Sequence, residues 1–139
     1  MAKFVLKNAV VTINSVDLSD HISSVTVETT FDDVDVTSFG DTYKEILQGM
    51  GDATITCDFF QDFASGKVDA TLNGLATNGT TFPVTVKPTN AATSTTNPQY
   101  NMTGVLLTYN PIAGAVGAAS TTSVTIRNAS QSGLTRQTT

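Results

Sequence analysis

The chain has 139 residues, enough for one domain with a modest core, and a formal net charge of −5. Hydrophobic residues make up 40% and charged residues only 14%, well below the usual quarter; 25 threonines fill the gap, and a β-branched residue suits a pleated, half-wet surface. An acidic whole argues against a protein that grips nucleic acid, which needs a basic face, and the lone Cys57 excludes a disulfide-stapled secreted scaffold.

The charge is unevenly spread. Nine of the twelve acidic residues lie in Glu28–Asp62, with Lys44 as the one base, for a local charge of −8; residues 1–27 are neutral and residues 63–139 carry +3. The N-terminal run MAKFVLKNAVV is too short and too polar for a signal peptide. No run of about 18 apolar residues exists to span a membrane. The chain is expected to fold first in a reducing cytoplasm.

In chain order, residues 4–14 read as strand material with a break at Lys7 and Asn8; Val11 and Ile13 share one face. The turn SVDLSD follows, rich in side chains that bond their own backbone. Residues 22–31 alternate, with Val25, Val27 and Phe31 on one face and Ser24, Thr26, Glu28 and Thr30 on the other. Residues 52–60 alternate more cleanly: Ala53, Ile55, Cys57 and Phe59 against Asp52, Thr54, Thr56 and Asp58.

Between these strands, residues 32–51 are expected to form a long loop. Ordinary hairpin loops have two to five residues, and much longer ones are usually functional or disordered. This one holds Val34, Val36, Phe39, Tyr43, Ile46, Leu47 and Met50, too apolar for a solvated tail. Gly40, Gly49 and Gly51 are expected as its pivots.

Residues 63–76 are the helix candidate, with Ala64, Val68, Leu72 and Leu75 as one apolar stripe, Asp62 as N-cap and Asn73-Gly74 or Asn78-Gly79 as terminator. Phe82, Val84 and Val86 alternate in a strand whose Pro83 places it at an edge or at its own first residues. A polar loop, TNAATSTTNP, leads to a long strand over 99–109, apolar on both faces after Gly104. A small-residue loop, PIAGAVGAAS, precedes the last strand, 121–128, with Val124 and Ile126 inward and Arg127 outward. Residues 130–139 show no pattern and are expected as a flexible tail. The fold class is therefore mainly β, a β-sandwich or barrel with one flanking helix, in a single domain over 1–129.

Catalytic chemistry finds no constellation. His21 is the only histidine and has no Ser or Cys motif to partner it. Asp32, Asp33 and Asp35 miss the calcium-loop spacing, and no phosphate-loop, dinucleotide or zinc motif occurs. No enzyme, cofactor or metal is expected.

The order of features resembles the small major tail (tail tube) proteins of long, non-contractile-tailed bacteriophages. Those features are the turn NSVDLSDHISSV, the acidic stretch closed by SFGDTYKEILQGMGD, then TITCDFFQDFASGKVDATLNGL, VKPTNAATSTTNPQY, a long strand and a terminal TTSVTI, together covering residues 3–128. The resemblance implies a β-sandwich or barrel with a flanking helix. It also implies six-membered rings whose inner strands join around a lumen, and rings stacked into a tube that ejects DNA.

On that footing Phe39, Gly40, Tyr43, Ile46, Leu47 and Met50 are candidate inter-ring stacking residues. Glu28, Asp52 and Asp58, on wet strand faces, are candidate lumen-facing acids that would let DNA pass without sticking. The implied partners are further copies of the chain, a tape-measure protein, and terminator and tip proteins, with DNA only in transit and no membrane. Alternatives are another virion structural protein (a tail terminator or a capsid decoration) or a β-sandwich adhesion or carbohydrate-binding module. The last lacks tryptophan, and its three tyrosines stand in separate segments.

Overall fold

The computed structural model describes residues 3–139. Eight strands form one antiparallel sheet: β1 (Val10–Ile13), β2 (Val16–Asp17), β3 (Ile22–Asp35), β4 (Ile46–Phe60), β5 (Phe82–Lys87), β6 (Gln99–Thr108), β7 (Thr121–Asn128) and β8 (Thr135–Gln137). Their order is β2-β1-β5-β6-β7-β4-β3, with β8 pairing β6. One α-helix among the described residues, α1 (Val68–Asn78), follows β4, and a 3-10 turn, Ser19–His21, precedes β3.

The sheet rolls around one core. Alternation sends Val11 and Ile13, Ala53, Ile55, Cys57 and Phe59, Phe82, Val84 and Val86, Met102 and Leu106, and Val124 and Ile126 into the same cluster. Val68, Leu72 and Leu75 of α1 join them, and Val16 of β2 and Val25 and Val27 of β3 pack against it from the two sheet edges. The expected sandwich or barrel is thus one continuous rolled sheet, open between β2 and β3. The inward sets expected for 52–60, 82–86 and 121–128 are all buried. Pro83 sits second in β5, as its missing donor requires.

Several boundaries differ from the sequence reading. Residues 4–9 carry no strand; β1 begins only at Val10. β1 and β2 join through Asn14-Ser15, both at positive φ, 49° and 67°, the two-residue hairpin geometry that matches strand twist. The helix starts at Val68 and not at residue 63, because Gly66 takes φ 74° and breaks helical continuity. Asp62 therefore caps the turn before the helix: its Oδ1 accepts the Ala64 N–H at 2.9 Å. Gly79, at φ 64°, ends the helix by donating to the Leu75 carbonyl, one of the two stops expected.

The largest difference is in residues 32–51, expected as a loop. β3 and β4 run on as a two-stranded ribbon with Val34 opposite Leu47 and Asp35 opposite Ile46, and Val36 donates to the Glu45 carbonyl beyond them. The true loop is 37–44. Only Gly40 is a pivot, at φ 92°. Gly49 and Gly51 lie inside β4, where a Cβ would collide with Val34 and Asp32 or with the Phe31 ring. Residues 130–139, expected as a flexible tail, include β8, whose Thr135–Gln137 pair with Gln99–Asn101 of β6.

Candidate assembly surfaces

The chemistry of this molecule lies on its outside. β4 begins at Ile46 but pairs with β7 only from Thr54 onward. From there to the tip, β3 and β4 pair as strands only with each other among the described residues, so the ribbon projects as an arm. A bulge between Phe31 and Asp33 bends it as it leaves the core. Phe39 (109%), Tyr43 (86%) and Met50 (82%) stand free in solvent, with Ile46 and Leu47 about half exposed. Gly40 sits at the tip beside Phe39. All six candidate stacking residues therefore belong to one projecting element. The tip is held by polar contacts: Asp41 accepts the Ser38 N–H at 2.7 Å, Asp35 accepts the Thr37 N–H at 2.9 Å, and Thr37 Oγ1 accepts the Glu45 N–H at 2.9 Å.

The second surface is the outer face of β3, β4 and β7. Register aligns Thr26, Thr56 and Thr125 in one row and Glu28, Thr54 and Arg127 in the next. Asp58 sits between Ser24 and Ser123. The candidates Glu28, Asp52 and Asp58 thus share one hydroxyl-rich face. Asp52 is matched there by Arg127, whose Nη2 donates to its Oδ2 at 2.6 Å, a pairing that sequence spacing could not show across 75 residues. Three carboxylates face one guanidinium, so the face is net acidic.

A third surface, unmarked by the sequence reading, lies at the far end of β4. Phe60, Phe63, Ile112 and Val116 are exposed there. Gln61 ties the two segments together, donating from its backbone N–H to the Ser120 carbonyl and from Nε2 to the Pro111 carbonyl. Leu107, the outward residue of β6 flagged by its two apolar faces, is 67% exposed.

The remaining polar groups hold the frame. His21 lies between Asp20 (Nδ1–Oδ1 2.7 Å) and Asp62 (Nε2–Oδ2 2.8 Å). Its pKa is raised, first by the bond to Asp62 and then by that to Asp20. Tyr109 donates to Asp69 Oδ1 at 2.6 Å and receives Gln61 Nε2 at 3.1 Å, pinning α1 to the end of β6; burial, then the Asp69 carboxylate, pushes its phenol up to about 12. Asn97, 6% exposed, closes the loop after β5 by donating to the carbonyls of Thr89, Ala91 and Ala92 and accepting the Thr89 N–H. Burial pushes the Cys57 thiol up to about 12, making it an inert core group. Asp32, Asp33 and Asp35 lie along the exposed arm, and among the described residues no group of three His, Cys, Asp or Glu side chains could hold a metal ion. No helix among them is long and apolar enough to cross a membrane.

No known protein family matches the sequence, and no curated protein does. Solved structures do match. A chain of the virion of a native gene transfer agent particle has a TM-score of 0.78 at 14% identity, over 97% of this chain and 99% of that one. A chain of the sheath-tube complex of an extracellular contractile injection system, PVC in its extended state, scores 0.71 at 13% identity, over 99% and 93%. A chain of the SPP1 tail tube scores 0.71 at 8% identity, over 95% and 76%. At these identities the likeness is one of architecture: this chain has the tail tube fold.

Proposed function

We propose that the chain is a non-catalytic building block of a virion tail tube. Copies close into rings, six to a ring by the family resemblance, and rings stack into a hollow tube that carries DNA out of the particle. The observation that carries this reading is the β3–β4 arm: a tail tube fold that projects an apolar tip with nothing of its own to bury it against. Such a tip has a reason to exist only if a neighbour covers it. The net-acidic, hydroxyl-rich face of β3, β4 and β7 supports the lumen assignment of Glu28, Asp52 and Asp58, because it repels phosphate at short range. A tape-measure protein would set tube length, and terminator and tip proteins would close the ends. The same fold occurs in a contractile system, so the sheathless tail rests on the resemblance alone.

Negative-stain electron microscopy of the purified chain over a concentration series tests the reading. Hollow tubes with a regular axial repeat are expected. Isolated rings would favour a terminator instead. Replacing residues 37–44 by Asn-Gly, which closes the Val36–Glu45 pair with a two-residue turn, should leave rings and abolish stacking. Full-length tubes from that variant would remove the arm from the inter-ring contact.

A further inference from the structure

The segment Lys3–Lys7, KFVLK, has the composition of a strand but pairs with nothing among the described residues. Phe4, Val5 and Leu6 are 57%, 73% and 53% exposed. In an extended conformation it would place Phe4 and Leu6 on one side and Lys3, Val5 and Lys7 on the other. The arm segment of β3 has the complementary alternation, with Val34 and Val36 on one side and Asp33 and Asp35 on the other. The outer edge of β3 is also free, since β3 ends the sheet. Val36 donates inward to Glu45, so in an antiparallel ladder the backbone of Asp35 faces outward, open to another strand.

The geometry points to Lys3–Lys7 of one copy adding as an antiparallel strand to the free edge of β3, over Asp33–Val36, of a second copy. In the register that opposes Leu6 to Val34 and Phe4 to Val36, Lys7 falls opposite Asp33 and Lys3 lies diagonal to Asp35. Apolar groups meet on one face; on the other Lys7 meets Asp33, and Asp35 faces Val5 with Lys3 and Lys7 on its two diagonals, so apolar and opposite-charge pairs both support the ladder. The occupant is a second copy and not the chain's own N-terminus. Phe4 and Leu6 share a 230 Å³ groove with Val25, Val27, Val86 and Tyr100, and Val34 lies seven residues further along β3, about 23 Å away. The added strand would also cover the edge and the apolar groups of the arm that otherwise invite indiscriminate pairing. This inference rests on the self-assembly reading above.

Two measurements on the full-length chain test it. Leu6→Cys and Val34→Cys copies, mixed and oxidised under assembly conditions, should give a disulfide-linked dimer that neither gives alone; Cys57 is buried and does not compete. Separately, the Lys3→Glu/Lys7→Glu variant should raise the concentration at which tubes form by about tenfold. Adding the Asp33→Lys/Asp35→Lys variant should restore assembly, a rescue that general destabilisation would not produce. If wild-type tubes form while the cysteine pair stays unlinked and the reversed lysines assemble normally, the strand addition is overturned and the tube reading stands. A wild-type chain that never associates overturns both.

Discussion

A neutral imidazole has one N–H to give, and His21 faces a carboxylate at each ring nitrogen, so the arrangement demands the imidazolium. The raised His21 pKa follows from those two bonds. The Asp20 value is lowered chiefly by its bond with His21, and that of Asp62 first by the Ala64 N–H and then by His21, with Lys67 nearby acting in the same direction on both. A raised histidine contributes stability that is full below its ordinary pKa and is lost as pH rises through the raised value. Lowered carboxylates contribute above their ordinary values and lose it as pH falls through the lowered ones. The stability gap between wild type and His21→Gln is therefore widest in mildly acidic solution and narrows as pH rises. Thermal unfolding of both at about pH 5 and about pH 9 measures it; a gap that grows on the alkaline side contradicts the charged clasp. Gly104 gives a second test of the same scale. A Cβ there would run into the Ile126 side chain in the core, so Gly104→Ala should cost about 1–3 kcal/mol, seen as a lower denaturation midpoint at unchanged slope.

Among elements, β8 and the arm carry the most consequence. β8 covers the half of β6 that β7 does not reach, and Leu134 just before it packs against the core. Truncation after Gly133 should leave a folded chain, destabilised by about 1 kcal/mol for the lost apolar contact, that self-associates through the uncovered β6 edge. Light scattering and thermal unfolding would show both; an unchanged, monodisperse chain would mean that β8 contributes nothing. Neither β8 nor the arm was predictable as a strand. Period-2 alternation is enforced over a whole strand only where one face is buried and the other wet, as at Ala53, Ile55, Cys57 and Phe59. Both faces of the arm meet solvent, so its residues need not alternate against a core, and its acids and glycines read as loop chemistry. Residues 135–137 are all exposed and belong to a strand only through ladder bonds to Gln99–Asn101, far back along the chain. The helix start was misplaced for another reason: the apolar stripe back to Ala64 is real as a pattern, but Gly66 decides the backbone. Of the surfaces, the apolar excess of the arm could be read from composition. The Arg127–Asp52 pair and the end patch with Ile112 and Val116 needed the fold to bring distant segments together.

For the whole molecule, the distribution of charge matters more than its sum. The basic groups Lys3, Lys7 and Lys87 lie in or next to the N-terminal segment and the β5 end it adjoins, while the face with Glu28, Asp52 and Asp58 keeps only Arg127. If that face lines a lumen, reversing Glu28 and Asp58 to lysine should make assembled tubes retain double-stranded DNA at low salt and release it as salt rises, with log affinity falling by about 0.9 per phosphate contacted for each tenfold rise in salt. Retention equal to wild type would place the face elsewhere.

One strand, β4, starts at the exposed Ile46 of the arm and ends about 50 Å away at the exposed Phe60 beside Ile112 and Val116. Its two sticky ends are unlike each other, so a contact between the arm of one copy and the end patch of another would be head to tail, running on as an open filament unless its rotation closes a ring. In kinetic terms the open arrangement would make the subunit the monomer of a directional polymer, one that waits on a nucleus, adds at growing ends, and stops only when supply or a cap stops it. A particle built from it would have to count its copies by means that lie outside this chain.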